Sequence, residues 1–526
     1  MHSRPLRFPV SDWVAHHASV RPQAIALGSA DTGEQVSWAQ LEHRVGLTAA
    51  RLRVEGLRPG DRLAVVADND PRGFILQFAA MRAGVVMVPL NWRLVIEEMC
   101  HQCADAAVSA LTHDAPWSGP ARQVASDAGV RRVLELEALT GTQHGDGLAP
   151  MPPQSPDPDV VTHILYTSGT TGRPKGAVVS HASMMWNAFN ILSATQVAAP
   201  GVHMLNPMPL FHAGGLNVLA NPILMHGGRV TTMARWNPAA ILAYIGDHAH
   251  AVTHLTTAPS LLQMLVDDPA FAATDFGTMR KMVIGGGATK PDLLRAFAAK
   301  GVALHPQYGG TETGPAALVL DDGLERALSG TCGKPVLHTA VRVVDPDSLT
   351  DVADGTVGEL WLKGPAVTPG YWNLPNEQHF VDGWFRTGDA ARRDADGYFH
   401  IAGRYKDMYK SGGENVYAAE VENVLIDLPE VADVAIIGVP DPKWGEVGLA
   451  VVVAAPGAEI TLDGLRAACA GRIARYKHPQ HLDLVDALPR NATGKVSKPA
   501  LRERYQSLAS LARDTPCEEP STQFPT

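Results

Sequence analysis

The chain has 526 residues, of which 45% are hydrophobic and 19% charged, and its formal net charge at pH 7 is -10. A chain of this length exceeds one ordinary hydrophobic core, so we expect a large region of several packed units and a smaller domain. The composition argues against a disordered or fibrous chain. The negative charge argues against nucleic acid as a partner, because binding to a phosphate backbone requires clustered lysine and arginine.

The N-terminal residues 1–13 contain no apolar run of the length that a secretory signal needs. No stretch reaches the roughly 18 apolar residues of a membrane span. We therefore predict a cytoplasmic protein without an integral membrane segment. The five cysteines are few and odd in number, which is typical of a reducing compartment. Cys100 and Cys103 form a CxxC motif in a helical context, which favours incidental helical thiols over a zinc or redox site.

The N-terminal part of the chain alternates apolar runs with amphipathic stretches, which predicts a parallel α/β arrangement. The runs 62–66 and 85–90 are typical of strands, and residues 73–83 are typical of a helix. The segment 150–159 holds five prolines and two aspartates, and it predicts a surface linker between subdomains. The short β-branched run 160–166 then predicts a strand that ends at a loop rich in Gly, Thr and Ser.

This loop is well suited to hold phosphates. Its glycines let the backbone turn so that amide hydrogens point inward, its hydroxyls add donors, and Lys175 supplies a cation. It is not a Walker A motif, because Pro174 precedes the lysine and Gly176 follows it where Ser or Thr is required. From composition alone, a plain hairpin loop explains these residues equally well. The candidate phosphate-binding residues are Thr167, Ser168, Gly169, Thr170, Thr171, Gly172 and Lys175.

Beyond residue 403 the α/β alternation gives way to a Lys- and Gly-rich segment followed by shorter elements. A compact domain of roughly 120 residues fits this region. Residues 512–526 are rich in proline and predict a disordered tail. The predicted fold class is α/β, with a large multi-subdomain N-terminal region of mixed or parallel sheets and a small, mobile α+β C-terminal domain. The strand-like runs of this domain are 434–439 and 449–454, and its amphipathic stretches are 418–428 and 462–475.

Six further motifs follow in order along the chain: Pro209–His212, Gly285–Ala288, Tyr308–Glu312, Gly383–Asp389, Gly403–Asp407 and Pro489–Lys495. With the phosphate loop, they resemble the signature of the adenylate-forming superfamily, which includes acyl-CoA synthetases, 4-coumarate-CoA ligases and luciferases. The resemblance covers nearly the whole chain. It implies an AMP-forming acyl-CoA synthetase that uses ATP, Mg²⁺ and coenzyme A. Such an enzyme converts a small-molecule carboxylic acid to an acyl-adenylate, and then to a thioester.

The motifs also make chemical sense as a nucleotide site. A carboxylate on a Gly-flanked turn suits Mg²⁺, which prefers a few oxygen ligands and substrate phosphates. By resemblance, Glu312 holds Mg²⁺ and Thr311 contacts phosphate. A tyrosine face beside glycines suits adenine, and a carboxylate with an arginine suits ribose hydroxyls. The resemblance assigns the base to Gly286, Gly287, Ala288, Tyr308 and Gly309, and the ribose to Asp389 and Arg404.

The resemblance divides the chemistry between two domains. Lys495 corresponds to the lysine that bridges the carboxylate and the α-phosphate during adenylation. Lys410, Gly412 and Gly413 correspond to the stretch beside the pantetheine channel, although a surface turn also explains the two glycines. The implied domains are 1–403 for AMP binding and 408–511 for the C-terminal catalytic domain. Residues 404–407 form the implied hinge, with rotation about Lys406.

The identity of the acid is least specified. His212 resembles the gate residue at the wall of the acyl pocket, although a buried structural histidine is an alternative. Residues 213–216 are small or apolar, which predicts a roomy, uncharged pocket. We expect an aryl or arylpropenoic acid, with a medium- or long-chain fatty acid as the alternative. An adenylation module that acylates a carrier protein and a non-catalytic nucleotide-binding protein are further alternatives, and a homodimer is left open.

Overall fold

The computed structural model describes residues 12–141, 147–167, 174–321, 323–490 and 495–505. These residues form two compact units. The first unit runs to Thr387 and includes Arg392–His400, and the second consists of Gly388–Ala391 and the described residues from Ile401 onward. The predicted hinge, 404–407, lies just inside the second unit, and its role as a hinge stays a prediction.

Strands and helices alternate through the first unit, as the sequence predicts. In chain order the strands up to residue 404 are β1 (Ile25–Ser29), β2 (Gln35–Ser37), β3 (Arg62–Val66), β4 (Val86–Pro89), β5 (Ala110–His113), β6 (Val133–Glu135), β7 (Val161–Thr167), β8 (Lys175–Ser180), β9 (His203–Asn206), β10 (Arg229–Thr232), β11 (His254–Thr257), β12 (Lys281–Ile284), β13 (Leu304–Tyr308), β14 (Leu318–Val319), β15 (Lys334–Pro335), β16 (Ala340–Val344), β17 (Gly358–Lys363), β18 (Phe380–Val381), β19 (Trp384–Arg393) and β20 (Phe399–Arg404).

The α-helices of this part are α1 (Trp13–Val20), α2 (Trp38–Val54), α3 (Pro71–Ala83), α4 (Ile96–Asp105), α5 (Ser118–Asp127), α6 (Leu136–Thr140), α7 (His181–Asn190), α8 (Leu192–Thr195), α9 (Ala213–Leu216), α10 (Ala220–Met225), α11 (Pro238–Gly246), α12 (Pro259–Val266), α13 (Pro291–Ala299) and α14 (Leu324–Leu328). Helix α3 shows how local signals set the bounds. Asp70 caps its start, Pro71 occupies its first turn, and Gly84 ends it in the left-handed conformation. The predicted strands 62–66 and 85–90 correspond to β3 and β4.

A six-stranded sheet has the order β6-β5-β3-β4-β7-β8. Its pairs are parallel except β7 with β8, which is antiparallel. All residues of β4 and β5 are buried, as expected for parallel strands that are covered on both faces. The predicted linker 150–159 contains no strand or helix and lies within the first unit. Its Met151 amide donates to the Gly46 carbonyl over 2.9 Å.

A nine-stranded sheet has the order β15-β14-β13-β12-β11-β9-β10-β1-β2. The strands from β13 to β1 in this order pair in parallel, and antiparallel strands lie at both edges. The carboxyl ends of β9, β11, β12 and β13 therefore lie along one edge of the sheet. In open parallel sheets, ligands bind at such an edge. A third, five-stranded sheet has the order β16-β17-β19-β18, with β20 paired to β19.

The second unit is a small α+β domain. Its sheet has the order β22-β21-β24-β23, with β25 paired in parallel to β24. Ile436 packs with Val421 and Leu465 on one face, and the next residue, Ile437, packs with Leu501 on the other. Alternate side chains of a strand point to opposite faces, so helices cover both sides. The elements are β21 (Met408–Ser411), β22 (Glu414–Tyr417), β23 (Val431–Asp441), β24 (Gly445–Ala454), β25 (His481–Leu484), α15 (Ala418–Leu425), α16 (Leu462–Cys469) and α17 (Lys498–Tyr505).

The predicted fold class is confirmed in its large α/β region and its small α+β domain; the mobility of the small domain stays a prediction. The amphipathic stretch 462–475 is helical only to Cys469, because Ala470 is extended and Gly471 has a positive φ of 76°. No helix in the described part of the chain is long and apolar enough to cross a membrane. The CxxC residues lie on α4, and burial raises the pKa of Cys103 to about 12.

Candidate active site

Two of the predicted nucleotide motifs meet at the carboxyl edge of the nine-stranded sheet. Strands β12 and β13 are parallel neighbours, so the segments that follow them lie side by side. Residues 285–288 follow β12, and Gly286 to Ala288 are exposed. Tyr308 ends β13 and is followed by a 3-10 turn, Thr311–Thr313, that carries Glu312. The predicted base-binding segments and the predicted metal carboxylate thus occupy one edge.

The backbone itself requires glycine at position 309. A Cβ atom there would stand 2.4 Å from the carbonyl oxygen of Pro315 and 2.5 Å from its carbonyl carbon. No side chain tolerates such an approach to backbone atoms. Gly309 therefore allows the chain to fold back after β13 and present Glu312, in addition to the contact with the base that the resemblance implies.

The phosphate loop connects two antiparallel strands. Thr167, the last residue of β7, pairs with Lys175, the first residue of β8. The predicted residues Ser168, Gly169, Thr170, Thr171 and Gly172 lie outside the described residues. The ends of the loop are nevertheless fixed by the hairpin, and both ends carry a candidate phosphate ligand.

The carboxylate of Glu312 is the centre of a polar cluster. Its Oε1 accepts hydrogen bonds from the Thr167 hydroxyl at 2.9 Å and from the Tyr371 hydroxyl at 3.0 Å. The Glu312 carbonyl oxygen also accepts from the Thr368 amide at 2.7 Å. Glu312 is half-buried, and two separate segments of the first unit hold it, the end of β7 and residues 368–371.

Lys175 belongs to the same cluster. Its ammonium lies 5.3 Å from the centre of the Tyr371 ring and 3.4 Å from Nε2 of His379. The His379 and Tyr371 rings contact edge to face, with centroids 4.7 Å apart. Burial and the neighbouring Lys175 ammonium lower the pKa of His379 below its ordinary value. The lowered pKa favours the neutral imidazole, whose Nε2 can accept a hydrogen bond from the Lys175 ammonium.

These residues fit a magnesium ion with nucleotide phosphates. Mg²⁺ uses one or two protein carboxylates and takes its remaining oxygens from water and phosphate. Glu312 supplies one such carboxylate, and Lys175 supplies a cation for phosphate oxygens. The described residues contain no group of three or more His, Cys, Asp or Glu side chains that could enclose a metal by themselves. The arrangement suits a metal that arrives with its nucleotide.

The predicted gate residue, His212, precedes helix α9 and is exposed. It caps the helix: its Nδ1 accepts from the Gly214 amide at 3.0 Å. An accepting Nδ1 leaves the proton of the neutral ring on Nε2. The alternative of a buried structural histidine is wrong, because the side chain faces solvent.

A narrow cavity lies beside the Glu312 cluster. Its volume of about 10 Å³ has room for a single water molecule, so it is not the roomy pocket that the sequence predicts. Thr311, Thr368, Asn217, Gly314 and Pro315 line it. Strand β8 and helix α7 supply further walls that the sequence did not indicate. No charged side chain occurs among its described lining residues. The remaining lining residues are Val178, Val179, Ser183, Met184, Asn187 and Ala366.

In the second unit, the two residues predicted for the ribose form an ion pair. Arg404 Nε lies 2.9 Å from Asp389 Oδ1, and the Asp389 side chain is 11% exposed while that of Arg404 is 45% exposed. The pair orients the carboxylate and leaves part of the guanidinium accessible. A carboxylate and a guanidinium side by side can accept from and donate to ribose hydroxyls.

The predicted coenzyme A stretch is a tight hairpin. Gly412 and Gly413 connect β21 to β22, with positive φ values of 61° and 89° that favour glycine in a two-residue turn. The turn explains both glycines, so their role toward coenzyme A stays a prediction. Trp444, which is 47% exposed, packs beside it, and its carbonyl accepts from the Gly412 amide at 2.8 Å. Lys410 is exposed on β21.

Lys495 lies directly after residues 491–494, which are outside the described residues, and its side chain is exposed. Val496, the next residue, forms an isolated bridge with Arg490. At the predicted hinge, Arg502 of α17 donates to Asp407 at 3.0 Å and to the carbonyl of Lys406 at 3.3 Å. Burial lowers the pKa of Lys406.

Sequence reasoning missed three members of the Glu312 cluster and one residue of the small domain. Thr368, Tyr371 and His379 lie in a stretch without a phosphate or metal pattern. The run Pro369-Gly370-Tyr371-Trp372 is the signal that could have drawn attention, because a glycine often stands where the backbone turns tightly or approaches another group closely. Trp444 carries no signal beyond its residue type.

Comparison with protein families gives two matches. Residues 14–372 match the model described as AMP-binding enzyme, and residues 420–495 match the AMP-binding enzyme C-terminal domain. A feruloyl-CoA synthase of Amycolatopsis sp is 38% identical over 499 residues, which cover 94% of this chain and 99% of that protein. A long-chain-fatty-acid–CoA ligase of Mycobacterium tuberculosis is 33% identical over 499 residues, covering 93% and 97%.

Solved structures give the same result. The o-succinylbenzoate CoA synthetase of Bacillus subtilis, in complex with its acyl-adenylate intermediate, superposes with a TM-score of 0.84. The two sequences are 27% identical, and the match covers 94% of this chain and 98% of that one. Both compact units thus have counterparts in a single known architecture.

Proposed function

Since this chain belongs to the AMP-binding enzyme family and is an AMP-forming acid–thiol ligase, we propose that its acid is an aryl or arylpropenoic carboxylic acid. Ferulate and coumarate are representatives of this class. The enzyme uses ATP, Mg²⁺ and coenzyme A. The single observation that carries the choice of acid is the 38% identity with a feruloyl-CoA synthase over nearly the full length of both chains.

The sequence of the predicted pocket wall is compatible with this choice. Residues 213–216 are small or apolar and carry no charge, and an aryl acid brings one carboxylate and an otherwise uncharged body. An amino acid substrate would need a buried carboxylate partner for its ammonium group.

For the first half-reaction, we assign the Glu312 cluster to the nucleotide. The Thr167 and Tyr371 hydroxyls hold Glu312 Oε1 in place, which leaves Oε2 for the metal. Mg²⁺, when bound, neutralises phosphate charge. Lys175 donates to phosphate oxygens and is itself positioned by His379 and Tyr371. Lys495 stabilises the charge that develops at the α-phosphate, which is the kind of preorganised donor that accelerates phosphoryl chemistry.

For the second half-reaction, we assign the hairpin at Gly412 and Gly413, with Lys410, to coenzyme A. Asp389 and Arg404 bind the ribose of the nucleotide. A hinge at 404–407 lets the C-terminal domain serve both steps, as domain movements in enzymes do. A homodimer and a cytoplasmic location remain predictions.

The acid is tested by pyrophosphate release with each of a panel of acids at fixed MgATP and coenzyme A. We expect ferulate, 4-coumarate and cinnamate to give kcat/KM values at least about tenfold above those of fatty acids from hexanoate to palmitate. A preference for the fatty acids would contradict the proposal and favour the fatty-acid alternative. Release that depends on an added carrier protein instead of coenzyme A would favour a carrier-acylating module.

A further inference from the structure

Tyr166, the residue before Thr167 on β7, is tied by its side chain to helix α4. Its hydroxyl donates to Oδ2 of Asp105, the last residue of α4, over 2.5 Å. Burial and this bond raise the pKa of Tyr166, so the hydroxyl keeps its proton and remains the donor. Hydrogen bonds of this length between a hydroxyl and a carboxylate are among the stronger ones in proteins. The end of the strand that carries Thr167 is therefore attached to α4.

Asp105 also holds the chain just beyond Tyr371. Its carbonyl oxygen accepts from Nδ2 of Asn373 over 2.8 Å. Asn373 has a positive φ of 55°, so the chain turns sharply there. Between these two residues, the Trp372 amide donates to the Gly176 carbonyl over 2.7 Å. This short segment is thus held by β8 at Trp372 and by α4 at Asn373.

The turn after α4 is itself a fixed support. Arg62 of β3 donates from Nε to the Ala106 carbonyl at 2.7 Å and from Nη2 to the Ala107 carbonyl at 2.6 Å. Its guanidinium also lies 5.9 Å from the centre of the Trp372 ring, within the range of a cation–π contact. Arg62 therefore joins the support to the segment that the support holds.

The charge of Asp105 does not serve helix α4. The C-terminus of a helix carries a partial negative charge, so a carboxylate in the last turn is unfavourable there. Helix α4 has no basic residue in its last turn to offset this charge. The carboxylate accepts from Tyr166 instead, which indicates that its value lies outside the helix.

Asp105 acts on both residues that orient Glu312. It holds Tyr166, which immediately precedes Thr167, and the residue two positions after Tyr371. The hydroxyls of Thr167 and Tyr371 both donate to Oε1 of Glu312. A shift of either segment would turn the carboxylate, and binding groups lose effect when they are misplaced by about 1 Å.

We propose that Asp105 is a positioning residue for acyl-adenylate formation, which acts through Tyr166 and Asn373 on the two hydroxyls that orient Glu312. The inference rests on the proposed function, because it takes Glu312 as the protein ligand of Mg²⁺. Asp105 contributes no group to the substrates. Its loss therefore weakens the use of Mg²⁺ with ATP and spares thioester formation from a supplied acyl-adenylate, a step that needs neither.

The test measures acyl-adenylate formation at varied Mg²⁺ and fixed ATP, with the acid that reacts fastest, and thioester formation from the corresponding supplied acyl-adenylate. Tyr166→Phe removes the hydroxyl and keeps the ring. Asp105→Ala removes the carboxylate, and Asp105→Asn keeps an acceptor and is the rescue variant. Tyr505→Phe is the matched control, because the Tyr505 hydroxyl also donates to a carboxylate, that of Asp483 in the second unit. Thermal melting checks that each variant folds.

We expect Tyr166→Phe and Asp105→Ala to raise the Mg²⁺ concentration for half-maximal adenylate formation by about three- to tenfold. Asp105→Asn and Tyr505→Phe should stay within about twofold of the wild type. KM for the acid and the rate of thioester formation should be unchanged in all four variants. An unchanged Mg²⁺ requirement in Tyr166→Phe, or equal losses in both half-reactions, would overturn the inference.

Glu312→Gln distinguishes failure of this inference from failure of the proposed function. We expect it to raise the Mg²⁺ requirement more than Tyr166→Phe does, because it changes the metal ligand itself. An unaltered Mg²⁺ requirement in Glu312→Gln would overturn the assignment of Glu312 and the inference with it. An effect of Glu312→Gln without any effect of Tyr166→Phe would overturn the inference alone.

Discussion

Thr167 and Glu312 are 145 residues apart in the chain, and the hydroxyl of the first donates to Oε1 of the second over 2.9 Å. The bond joins the end of β7, where the phosphate loop begins, to the turn after β13. These strands belong to different sheets of the first unit. Two of the predicted phosphate ligands, Thr167 and Lys175, and the predicted metal carboxylate therefore lie within one cluster, which is what transfer of a nucleotide group requires.

Tyr371→Phe tests whether the cluster positions the nucleotide. The change keeps the ring beside Lys175 and removes the hydroxyl that bonds Glu312. We expect KM for MgATP to rise about three- to tenfold, because a hydrogen bond to a charged group contributes on the order of 1 kcal/mol or more. Tyr244→Phe, at a ring that stacks on His250, is the control and leaves KM unchanged. An unaltered KM in Tyr371→Phe would remove the positioning role.

Buried histidines make the stability of the fold sensitive to acid. Burial lowers the pKa of His163 to about 3 and that of His181, His203 and His254 to about 4, against 6.5 when unfolded. Between pH 6.5 and 4 these four histidines are protonated in the unfolded chain and stay neutral in the folded chain, so the unfolded chain binds more protons. The contribution of these histidines to the free energy of unfolding is therefore complete above pH 6.5 and is lost as the pH falls through this range.

The measurement is the free energy of unfolding in urea at pH values from 7 to 4.5. We expect His163→Met to reduce the slope of unfolding free energy against pH by up to about 1.4 kcal/mol per pH unit, which is the contribution of one proton. His43→Met, at a histidine on α2 that is not fully buried, serves as the reference. If the slope of unfolding free energy against pH were the same in His163→Met and the wild type, His163 would bind its proton equally well in the folded and the unfolded chain, and the prediction would be wrong.

Sequence alone gave the fold class and the residues of the cluster that belong to compact motifs. Lys175 and Glu312 stand in short runs whose glycines and hydroxyls have a local chemical meaning. Tyr371 and His379 reach the cluster only because the chain returns to it after β17, and no local pattern marks that return. Asn187 illustrates a second limit: on a helix it is typical of an ordinary buried amide, and only the structure shows that its Nδ2 donates to the carbonyl oxygen of Asn217 over 2.6 Å.

Trp444→Ala tests the coenzyme A assignment in the second unit. The indole packs beside the Gly412–Gly413 turn and is half exposed. We expect KM for coenzyme A to rise about fivefold, since an aromatic contact contributes on the order of 1 kcal/mol, with acyl-adenylate formation unchanged. Tyr476→Ala removes another exposed aromatic ring of the same unit and should alter neither value. Equal effects of the two variants would contradict the assignment.

Lys406→Pro tests the hinge. Proline fixes φ and restricts the preceding residue, so rotation about this position becomes difficult. We expect thioester formation to slow by about tenfold or more while acyl-adenylate formation stays within about twofold of the wild type. Lys406→Ala removes the side chain without fixing the backbone and should retain both rates. An unchanged thioester rate in Lys406→Pro would remove the hinge assignment.

The central claim is that Lys495 serves acyl-adenylate formation and not thioester formation. It is tested most directly by Lys495→Ala, with each of the two half-reactions assayed separately. We expect acyl-adenylate formation from ferulate and MgATP to fall by about a hundredfold or more, because one preorganised donor contributes on the order of 3 kcal/mol. Thioester formation from supplied feruloyl-adenylate and coenzyme A should remain near the wild-type rate. Lys498→Ala, which removes only the ion pair with Glu422, should retain both. Equal loss of both half-reactions in Lys495→Ala would contradict the account.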